Sequence, residues 1–284
     1  MMSIAELPIA VIGAGPVGLA AAAHLIQRGA RPIVLEAGPA VGHAVRQWGH
    51  VRMFSPWRYN IDAAARALLD QVEWPSPDLD HHPTGAELLR GYLEPLAAVP
   101  AIRDALMLNA SVVAVGRRSF DKVRSAGRDG SPFLVSVVDK GGRTSTHEFR
   151  AVIDASGTYF SPNPAGAGGI SAAGEKEVRA HLAYGIPDVL DRDRKRYAGR
   201  RVLVVGSGHS AMNALLDLSA LQQEEPTTRI AWAMRRTDVS QVYGGGAADQ
   251  LPERGQLGLR TRAAVERGSI DVMAPFRIVR IEQR

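Results

Sequence analysis

Cysteine is absent from the 284 residues. Disulfide bonds, thiolate metal ligands, thiol nucleophiles and redox-active dithiols are therefore excluded from this sequence. The histidines do not replace cysteine as metal ligands, because His43, His50 and the pair at 81–82 have no partners at metal-ligand spacing. We expect no metal site. The composition fits a reducing compartment, and we expect the protein to be cytoplasmic.

Lysine is scarce, since only four of the 34 basic residues are lysines. The formal net charge of +5 comes mainly from scattered arginines, with short pairs at 117–118 and 200–201 and no long basic run. A nucleic-acid surface usually concentrates its positive charge on one face or along one stripe. We therefore expect no nucleic-acid partner and favour a small anionic molecule instead.

Long uninterrupted apolar runs are also missing. A membrane-spanning helix needs about 20 consecutive apolar residues. The apolar stretch at 7–26 is interrupted by three glycines and two prolines and has no basic residue before it. This pattern indicates a strand followed by a helix and not a signal peptide. We expect no membrane partner.

The sequence does contain two similar glycine-rich turns, VIGAGPVG at 11–18 and VVGSGHSA at 204–211. The first follows an apolar strand at 8–12, opens a helix at 18–28 and precedes a second strand at 32–36, which is a βαβ pattern. A turn of this kind needs glycine for the tight bend, for close approach of a pyrophosphate and for helix packing, while an acid after the second strand accepts hydrogen bonds from a ribose. The residues predicted to bind this cofactor are Gly13, Ala14, Gly15, Pro16, Val17, Gly18, Glu36 and Ala37.

The second turn lies between a strand at 201–205 and a helix at 209–221, and the next strand, 229–234, ends on two arginines. A guanidinium at this place suits a ribose 2′-phosphate, which a carboxylate would repel. We therefore favour NADPH over NADH, with a solvated arginine pair as the alternative interpretation. The predicted residues are Gly206, Ser207, Gly208, His209, Ser210, Arg235 and Arg236.

The remaining segments predict the rest of the architecture. Helices are expected from about Asp62 and from the capping box at Thr84 to about 99. Three strands, at 111–118, 132–140 and 146–156, predict an antiparallel β-meander, and 275–282 alternates in the same way. The Pro/Gly-rich segment 161–174 marks a domain boundary. The expected fold is α/β, with two Rossmann-like dinucleotide-binding domains at 1–165 (FAD) and 166–284 (NADPH).

Three stretches of the sequence resemble the two-dinucleotide-domain flavoproteins, and within them the flavin-containing monooxygenase-like oxidoreductases. These stretches are GAGPVGLAAAAHLIQRGARPIVLEAG, AVIDASGTYFSPNPAG, and VVGSGHSAMNALLDL followed by WAMRR. The resemblance implies that the first turn holds FAD and the second NADPH. It also implies that the strand carrying Val112 lies near the adenine and that 155–157 marks the crossover into the second domain. The further cofactor-binding residues implied in this way are Arg46, Trp48, Val113, Ala155, Ser156 and Gly157.

The resemblance implies an FAD- and NADPH-dependent oxidoreductase of monooxygenase type, with a small molecule and molecular oxygen as substrates. Because the dithiol branches of the superfamily need a cysteine pair, they do not fit this sequence. Asn60 is the candidate catalytic residue, by analogy with an asparagine that hydrogen-bonds the flavin, and its alternative role is a helix cap. The alternative functions are an NADPH-dependent reductase with another electron acceptor and a nucleotide-binding chain without turnover. A homodimer is the expected assembly, although the sequence leaves the oligomeric state open.

Two features depart from the family pattern. The monooxygenase fingerprint places a glycine four residues before a histidine, whereas Gly174 here precedes His181 by seven. Family members also complete the FAD domain with a carboxy-terminal segment whose Gly-Asp pair binds the flavin phosphate, and nothing after residue 240 resembles it. We therefore expect the chain to lack the carboxy-terminal part of the FAD domain, with weakened or lost flavin binding as the alternative.

Overall fold

A computed structural model of the protein describes residues 3–283, apart from the side chain of residue 247. The outer ends of the two expected domains, residues 1, 2 and 284, lie outside the described residues. The chain forms two compact units, the first ending at Phe160 and the second beginning at Ser161. The predicted segment 161–174 thus belongs to the second unit in the structure.

The first unit contains a parallel sheet, a group of helices and an antiparallel sheet. Its elements, in chain order, are β1 (Ile9–Ile12), α1 (Pro16–Gln27), β2 (Pro32–Leu35), α2 (His43–Gln47), α3 (Ala63–Asp70), α4 (Gly85–Leu88), a π-helical turn (Leu89–Leu93), α5 (Glu94–Ala98), α6 (Pro100–Arg103), β3 (Leu106–Met107), β4 (Ser111–Arg117), β5 (Phe133–Val138), β6 (Thr144–Phe149) and β7 (Ala151–Asp154).

The parallel sheet has the order β3-β2-β1-β7, so β1 is a central strand. Its two faces are buried against different layers because successive side chains of a strand point to opposite sides. Val11 belongs to the core formed with the helices, which includes Leu19 of α1 and Leu69 of α3. Ala10 belongs to a second core with Val135 of the antiparallel sheet. Burial on both faces explains why β1 is apolar at every position.

The helices predicted near Asp62 and after Thr84 are confirmed. Asp62 caps α3, since its Oδ1 accepts hydrogen bonds from the amides of Ala64 (2.9 Å) and Ala65 (3.0 Å). Thr84 caps α4, and its hydroxyl and the Glu87 carboxylate exchange hydrogen bonds with each other's backbone amides. These two bonds are the reciprocal pair that the sequence pattern of a capping box predicts.

The antiparallel meander is confirmed, with the order β4-β5-β6, but its third strand differs from the prediction. The sequence predicts one strand at 146–156, whereas the structure divides it at Arg150 into β6, which pairs with β5, and β7, which pairs in parallel with β1. The amide of Arg150 donates to the carbonyl of Pro8 (3.0 Å), which fixes the change of sheet. Alternation continues through both strands, so a local pattern does not reveal the division.

The second unit contains α7 (Arg194–Tyr197), β8 (Arg201–Val205), α8 (His209–Glu224), β9 (Arg229–Ala233), α9 (Pro252–Glu266) and β10 (Asp271–Met273). Its parallel sheet has the order β10-β9-β8, and α8 contacts α9, β8 and β9. The sequence analysis missed α9 and β10. The sequence of α9 shows no apolar stripe, because its buried positions are mostly small residues such as Gly255 and Gly258. These two glycines approach the backbone of the 243–246 loop.

The strand predicted at 275–282 is wrong. This segment forms no ladder, although Arg280 makes an isolated bridge with Ala173. Its backbone bonds the preceding Pro/Gly-rich segment instead, because the Ala167 amide donates to the carbonyl of Ile278 (3.0 Å) and the Ile281 amide to that of Ala173 (2.8 Å). Of the large apolar side chains in this segment, Ile278 is buried but Phe276 and Val279 are exposed, so the alternation does not mark the buried face of a sheet.

The carboxylate of Glu175 organises that irregular segment. It is 3% exposed and accepts hydrogen bonds from the amides of Ala165 (2.9 Å) and Ala172 (2.7 Å) and from the hydroxyl of Tyr184. Burial raises the pKa of this carboxyl, but the hydroxyl and amide donors outweigh burial and leave the pKa below its ordinary value. The ionised carboxylate is therefore the form that the fold stabilises.

We expect Glu175→Gln to reduce the free energy of unfolding by about 1–3 kcal/mol at neutral pH, because an amide cannot accept all these bonds and buried donors are left unpaired. Since the folded-state pKa is lowered, the carboxylate stabilises the fold above its ordinary pKa and loses this effect as the pH falls through the folded value. Urea denaturation across a pH series should show the gap between wild type and variant closing in acid. The exposed Glu177→Gln serves as control, and a gap that is constant with pH would contradict the assignment.

Candidate dinucleotide-binding sites

The first glycine-rich turn connects β1 to α1. Gly13 has φ +97°, a left-handed conformation that favours glycine, and its amide donates to the carbonyl of Leu35 in β2 (2.8 Å). A Cβ on Gly18 would lie 1.9 Å from the carbonyl oxygen of Gly13. Only glycine at position 18 therefore lets the first turn of α1 pack against the strand end, as the sequence predicts.

The space beside Gly15 is open. Gly15 is the N-cap residue of α1 and makes no side-chain cap, and a Cβ placed on it would meet no atom within 4 Å. The first amides of a helix lack partners within the helix and carry its positive end. An uncapped helix start beside an open glycine is a cradle that fits a pyrophosphate. Val17, in the same turn, is 70% exposed.

Glu36 lies immediately after β2 and is buried beside this cradle. Its Oε2 accepts a hydrogen bond from the amide of Ala14 (2.8 Å) and its Oε1 from the amide of Gly38 (2.7 Å). Because each carboxylate oxygen can accept more than one hydrogen bond, capacity remains for ribose hydroxyls. The intervening Ala37 is exposed. Glu36 lies at the strand end, as predicted from the sequence. Gly38, whose amide holds this carboxylate, was not predicted, and the only sequence signal for it is a glycine two residues after the acid.

The segment predicted as the crossover lies against the first turn. The amide of Ala155 donates to the carbonyl of Ile12 (2.9 Å), and a Cβ on Gly13 would lie 2.7 Å from the carbonyl oxygen of Ala155. Asp154 holds Ser156, because its Oδ1 accepts hydrogen bonds from the Ser156 hydroxyl (2.6 Å) and amide (3.0 Å). These bonds lower the pKa of the Asp154 carboxyl. Gly157 follows with open space at its Cβ position. The structure thus brings 155–157 to the predicted FAD turn.

Val113 lies at an irregularity of β4. The pairing register between β4 and β5 shifts between Val112 and Ala114, so Val113 has no register partner there. Its side chain is 59% exposed. A bulge leaves backbone groups outside the ladder, where a ligand can reach them.

Arg46 and Trp48 are held by neighbours other than the first turn. The guanidinium of Arg46 forms an ion pair with Glu94 (2.5 Å). The ring of Trp48 packs on Gly85, where a Cβ would lie 2.8 Å from the ring. The link from α2 to the turn is made by the backbone, because the amide of Gly42 donates to the carbonyl of Ala14 (2.8 Å). The sequence analysis did not identify Gly42, and a glycine before a short helix is only a weak signal.

Asn60 is engaged within its own loop. Its Oδ1 accepts from the Ser55 hydroxyl (2.8 Å), and its Nδ2 donates to the carbonyls of Ser55 (2.9 Å) and Pro56 (3.0 Å). The alternative role of Asn60 as a helix cap is wrong, because Asp62 caps α3. The catalytic role remains a prediction, and it requires these loop bonds to be exchanged for bonds to a cofactor.

The second glycine-rich turn repeats the geometry of the first. Gly206 has φ +115°, and its amide donates to the carbonyl of Ala233 in β9 (2.9 Å). Gly208 is the uncapped N-cap residue of α8, and neither glycine would place a Cβ within 4 Å of another atom. The next two residues, His209 and Ser210, are exposed and Ser207 is half-buried. This turn therefore also fits a pyrophosphate.

Different side chains surround the second turn. The buried indole of Trp232 donates to the carbonyl of Gly206 (2.6 Å), a contact that the sequence analysis missed. Met234 follows β9 as Glu36 follows β2, and the exposed residues Arg235 and Arg236 come next. The guanidinium of Arg235 donates to the carbonyl of Ala167 (2.9 Å). Within residues 3–283, Arg236 has no ion pair or side-chain hydrogen bond.

Two features are absent from the described part of the chain. Residues 3–283 contain no group of three or more histidine, aspartate or glutamate side chains arranged to hold a metal ion. No helix in this range has the length and apolar character needed to cross a membrane.

This pair of strand-turn-helix elements, one followed by an acid and one by arginines, defines the class of FAD/NAD(P)-binding two-dinucleotide flavoproteins. The family described as pyridine nucleotide-disulphide oxidoreductase matches residues 10–242, and the chain belongs to that family. The resemblance to flavin-containing monooxygenase-like flavoproteins is thereby confirmed, as is the α/β fold with parallel and antiparallel sheets.

Individual proteins show more distant similarity. The chain is 26% identical over 227 residues to the flavin-containing monooxygenase ustF1 of Aspergillus flavus, a match covering 74% of this chain and 50% of that protein. The structure of bacillithiol disulfide reductase from Bacillus cereus is similar with a TM-score of 0.68 at 20% identity, covering 94% of this chain and 67% of that one. The FAD-bound cadaverine monooxygenase DfoA of Erwinia amylovora gives a TM-score of 0.63 at 14% identity, with 94% and 68% covered. The chain spans about half the length of the curated relatives it matches.

The glycines of the two turns differ in what a methyl group would disturb. We expect Gly15→Ala and Gly208→Ala to change the free energy of unfolding by no more than about 1 kcal/mol, because the space is open and both φ values suit alanine. Affinity for an adenine dinucleotide should fall by about tenfold or more, because the methyl group occupies the approach of the pyrophosphate. Calorimetric titration with FAD for the first turn and NADPH for the second measures both affinities.

Gly18→Ala provides the contrast. Its Cβ would overlap the carbonyl oxygen of Gly13, so we expect the free energy of unfolding to fall by about 2 kcal/mol or more. Equal stability losses for the alanine variants at 15 and 18 would show that the space beside Gly15 is not open.

Proposed function

We propose that the protein is an FAD- and NADPH-dependent oxidoreductase that uses molecular oxygen to oxidise a small molecule. The observation that carries this proposal is the pair of open, uncapped glycine-rich helix starts with opposite charges beside them. Glu36 suits the ribose of FAD, and the arginines suit the 2′-phosphate of NADPH. When bound, FAD supplies the redox chemistry, so the protein contributes binding, orientation and shielding from water.

The monooxygenase reading is favoured over disulfide reduction by composition and by relatives. The 284 residues contain no cysteine, so they cannot supply the dithiol of a disulfide reductase. The curated relatives that match most of this chain are flavin-containing monooxygenases. The chain's own groups then have limited roles: backbone amides bind the phosphates, Glu36 orients a ribose, and Asn60 is the proposed hydrogen-bonding partner of the flavin.

The two arginines after β9 have different roles in this proposal. Arg235 is bonded to the carbonyl of Ala167 and holds the 161–174 segment, while Arg236 has no partner among the described side chains. We infer that Arg236 binds the 2′-phosphate of NADPH. Both side chains are exposed to solvent. An exposed arginine forms a strong, charge-assisted hydrogen bond only when its partner carries a negative charge, as the 2′-phosphate of the ligand does.

The function is tested by adding FAD to the purified 284-residue chain and separating free FAD by gel filtration. We expect a visible flavin spectrum that stays with the protein and is bleached by NADPH without oxygen. In air, oxygenated product together with NADPH consumption supports a monooxygenase, whereas hydrogen peroxide alone supports the reductase alternative. If the chain retains no flavin absorbance but still binds NADPH, it is a nucleotide-binding chain without turnover, and the proposal is overturned.

Coenzyme preference is tested separately. We expect Arg236→Ala to raise the Kd for NADPH by about tenfold and to leave the Kd for NADH unchanged, because only NADPH carries the 2′-phosphate. Arg235→Ala, the matched control, should have a smaller effect on the ratio of the two constants. Equal effects of Arg236→Ala on both coenzymes would refute the role of this residue.

A further inference from the structure

A cavity of about 340 Å³, open to solvent, lies between the end of α3 and the π-helical turn at Leu89–Leu93. None of its lining residues belongs to the predicted cofactor sites. Its wall is largely apolar, and its charged side chains are one glutamate and one arginine. The residues that matter for its chemistry are Leu69, Val72, Trp74 and Pro75, which are apolar, together with Glu73 and Arg90. A cavity of this size accommodates a small organic molecule.

Two backbone irregularities meet at this cavity. Glu73 has φ +54°, a left-handed conformation that is uncommon for a residue with a side chain. Arg90 lies within the π-helical turn, a feature that is rare and frequent at functional sites. Trp74 joins the two, because its indole N–H donates to the carbonyl of Gly91 in the π turn (2.9 Å). The aromatic wall is therefore fixed in place before any ligand arrives.

The charges of this cavity are not neutralised by the protein. Within residues 3–283, neither Glu73 nor Arg90 forms an ion pair or a side-chain hydrogen bond, although both line the same cavity. Their charged neighbours are paired: Arg66, which lies 5.6 Å from the Trp74 ring centroid, bonds Asp70 (2.7 Å), and Arg46 bonds Glu94. The cavity thus has one unpaired anion and one unpaired cation among its lining residues, and both side chains are exposed to solvent.

We propose that this cavity binds a small zwitterion with an apolar side chain, the chemistry of a free α-amino acid. The planar guanidinium of Arg90 matches a carboxylate, with which it can form two parallel hydrogen bonds. The carboxylate of Glu73 matches an ammonium group. Trp74 and the neighbouring aliphatic residues cover the apolar side chain. A ligand with a single charge would leave one of the two protein charges without a partner.

The test uses the 284-residue chain without added cofactor, so its outcome is independent of the proposed oxidoreductase function. L-leucine is titrated by ligand-observed NMR, beside leucinamide, which lacks the carboxylate, and N-acetyl-L-leucine, which lacks the ammonium. We expect saturable binding of leucine at millimolar concentration and affinity about tenfold lower for each analogue.

Side-chain variants identify which charge meets which group. Arg90→Gln should weaken leucine about tenfold and leave leucinamide unchanged, while Glu73→Gln should weaken leucine and leave N-acetyl-L-leucine unchanged. Arg103→Gln, an exposed arginine outside the cavity, is the control, and circular dichroism confirms that each variant is folded. The proposal is overturned if leucine shows no saturable binding, or if it binds equally to wild type and both cavity variants.

Discussion

The contact between the backbone of Gly18 and the carbonyl of Gly13 is the constraint on which the first unit depends. No side chain fits between these atoms, so α1 starts directly against the end of β1. Gly15, the N-cap residue of this helix, makes no side-chain cap and has open space at its Cβ position. The same approach places Gly13 against Ala155, which brings the end of β7 to the turn. The packing of α1 on β1 and the open space beside Gly15, where we propose that a pyrophosphate binds, therefore occur in one closely packed turn.

The two units show how similar backbone geometry acquires different chemistry. In both turns, the first glycine has positive φ and donates its amide to a carbonyl of the neighbouring strand. Beside the first turn, Glu36 is buried and held by two amides. In the second unit, the buried Met234 takes the place of Glu36, and two exposed arginines follow it. A buried, fixed acid suits a neutral ribose, while exposed guanidinium groups suit an added phosphate, and this difference is the basis for proposing FAD at the first turn and NADPH at the second.

The sequence prediction succeeded where the signal is local and failed where pairing is distant. The capping box at Thr84 is confirmed because a capping residue bonds amides two or three positions away. The helix expected near Asp62 is also confirmed, but its cap is Asp62 itself and not Asn60. The strand expected at 146–156 was wrong because alternation cannot tell which sheet a residue joins, and the division at Arg150 depends on the distant Pro8. The same limit explains the error at 275–282, where an irregular segment takes the place of a pairing strand.

The amino-acid sequence alone determined the two strand-turn-helix elements, the residues of their glycine-rich turns and the charges that follow them, because these depend on neighbours in the chain. Tertiary structure decided the partners of the side chains: Glu94 for Arg46, the loop carbonyls for Asn60, and Ala167 for Arg235. It also brought Glu73 and Arg90 to one cavity from separate elements. The physical reason is that hydrogen bonds and ion pairs require atoms within a few ångströms, and for residues far apart in sequence only the folded chain sets that distance.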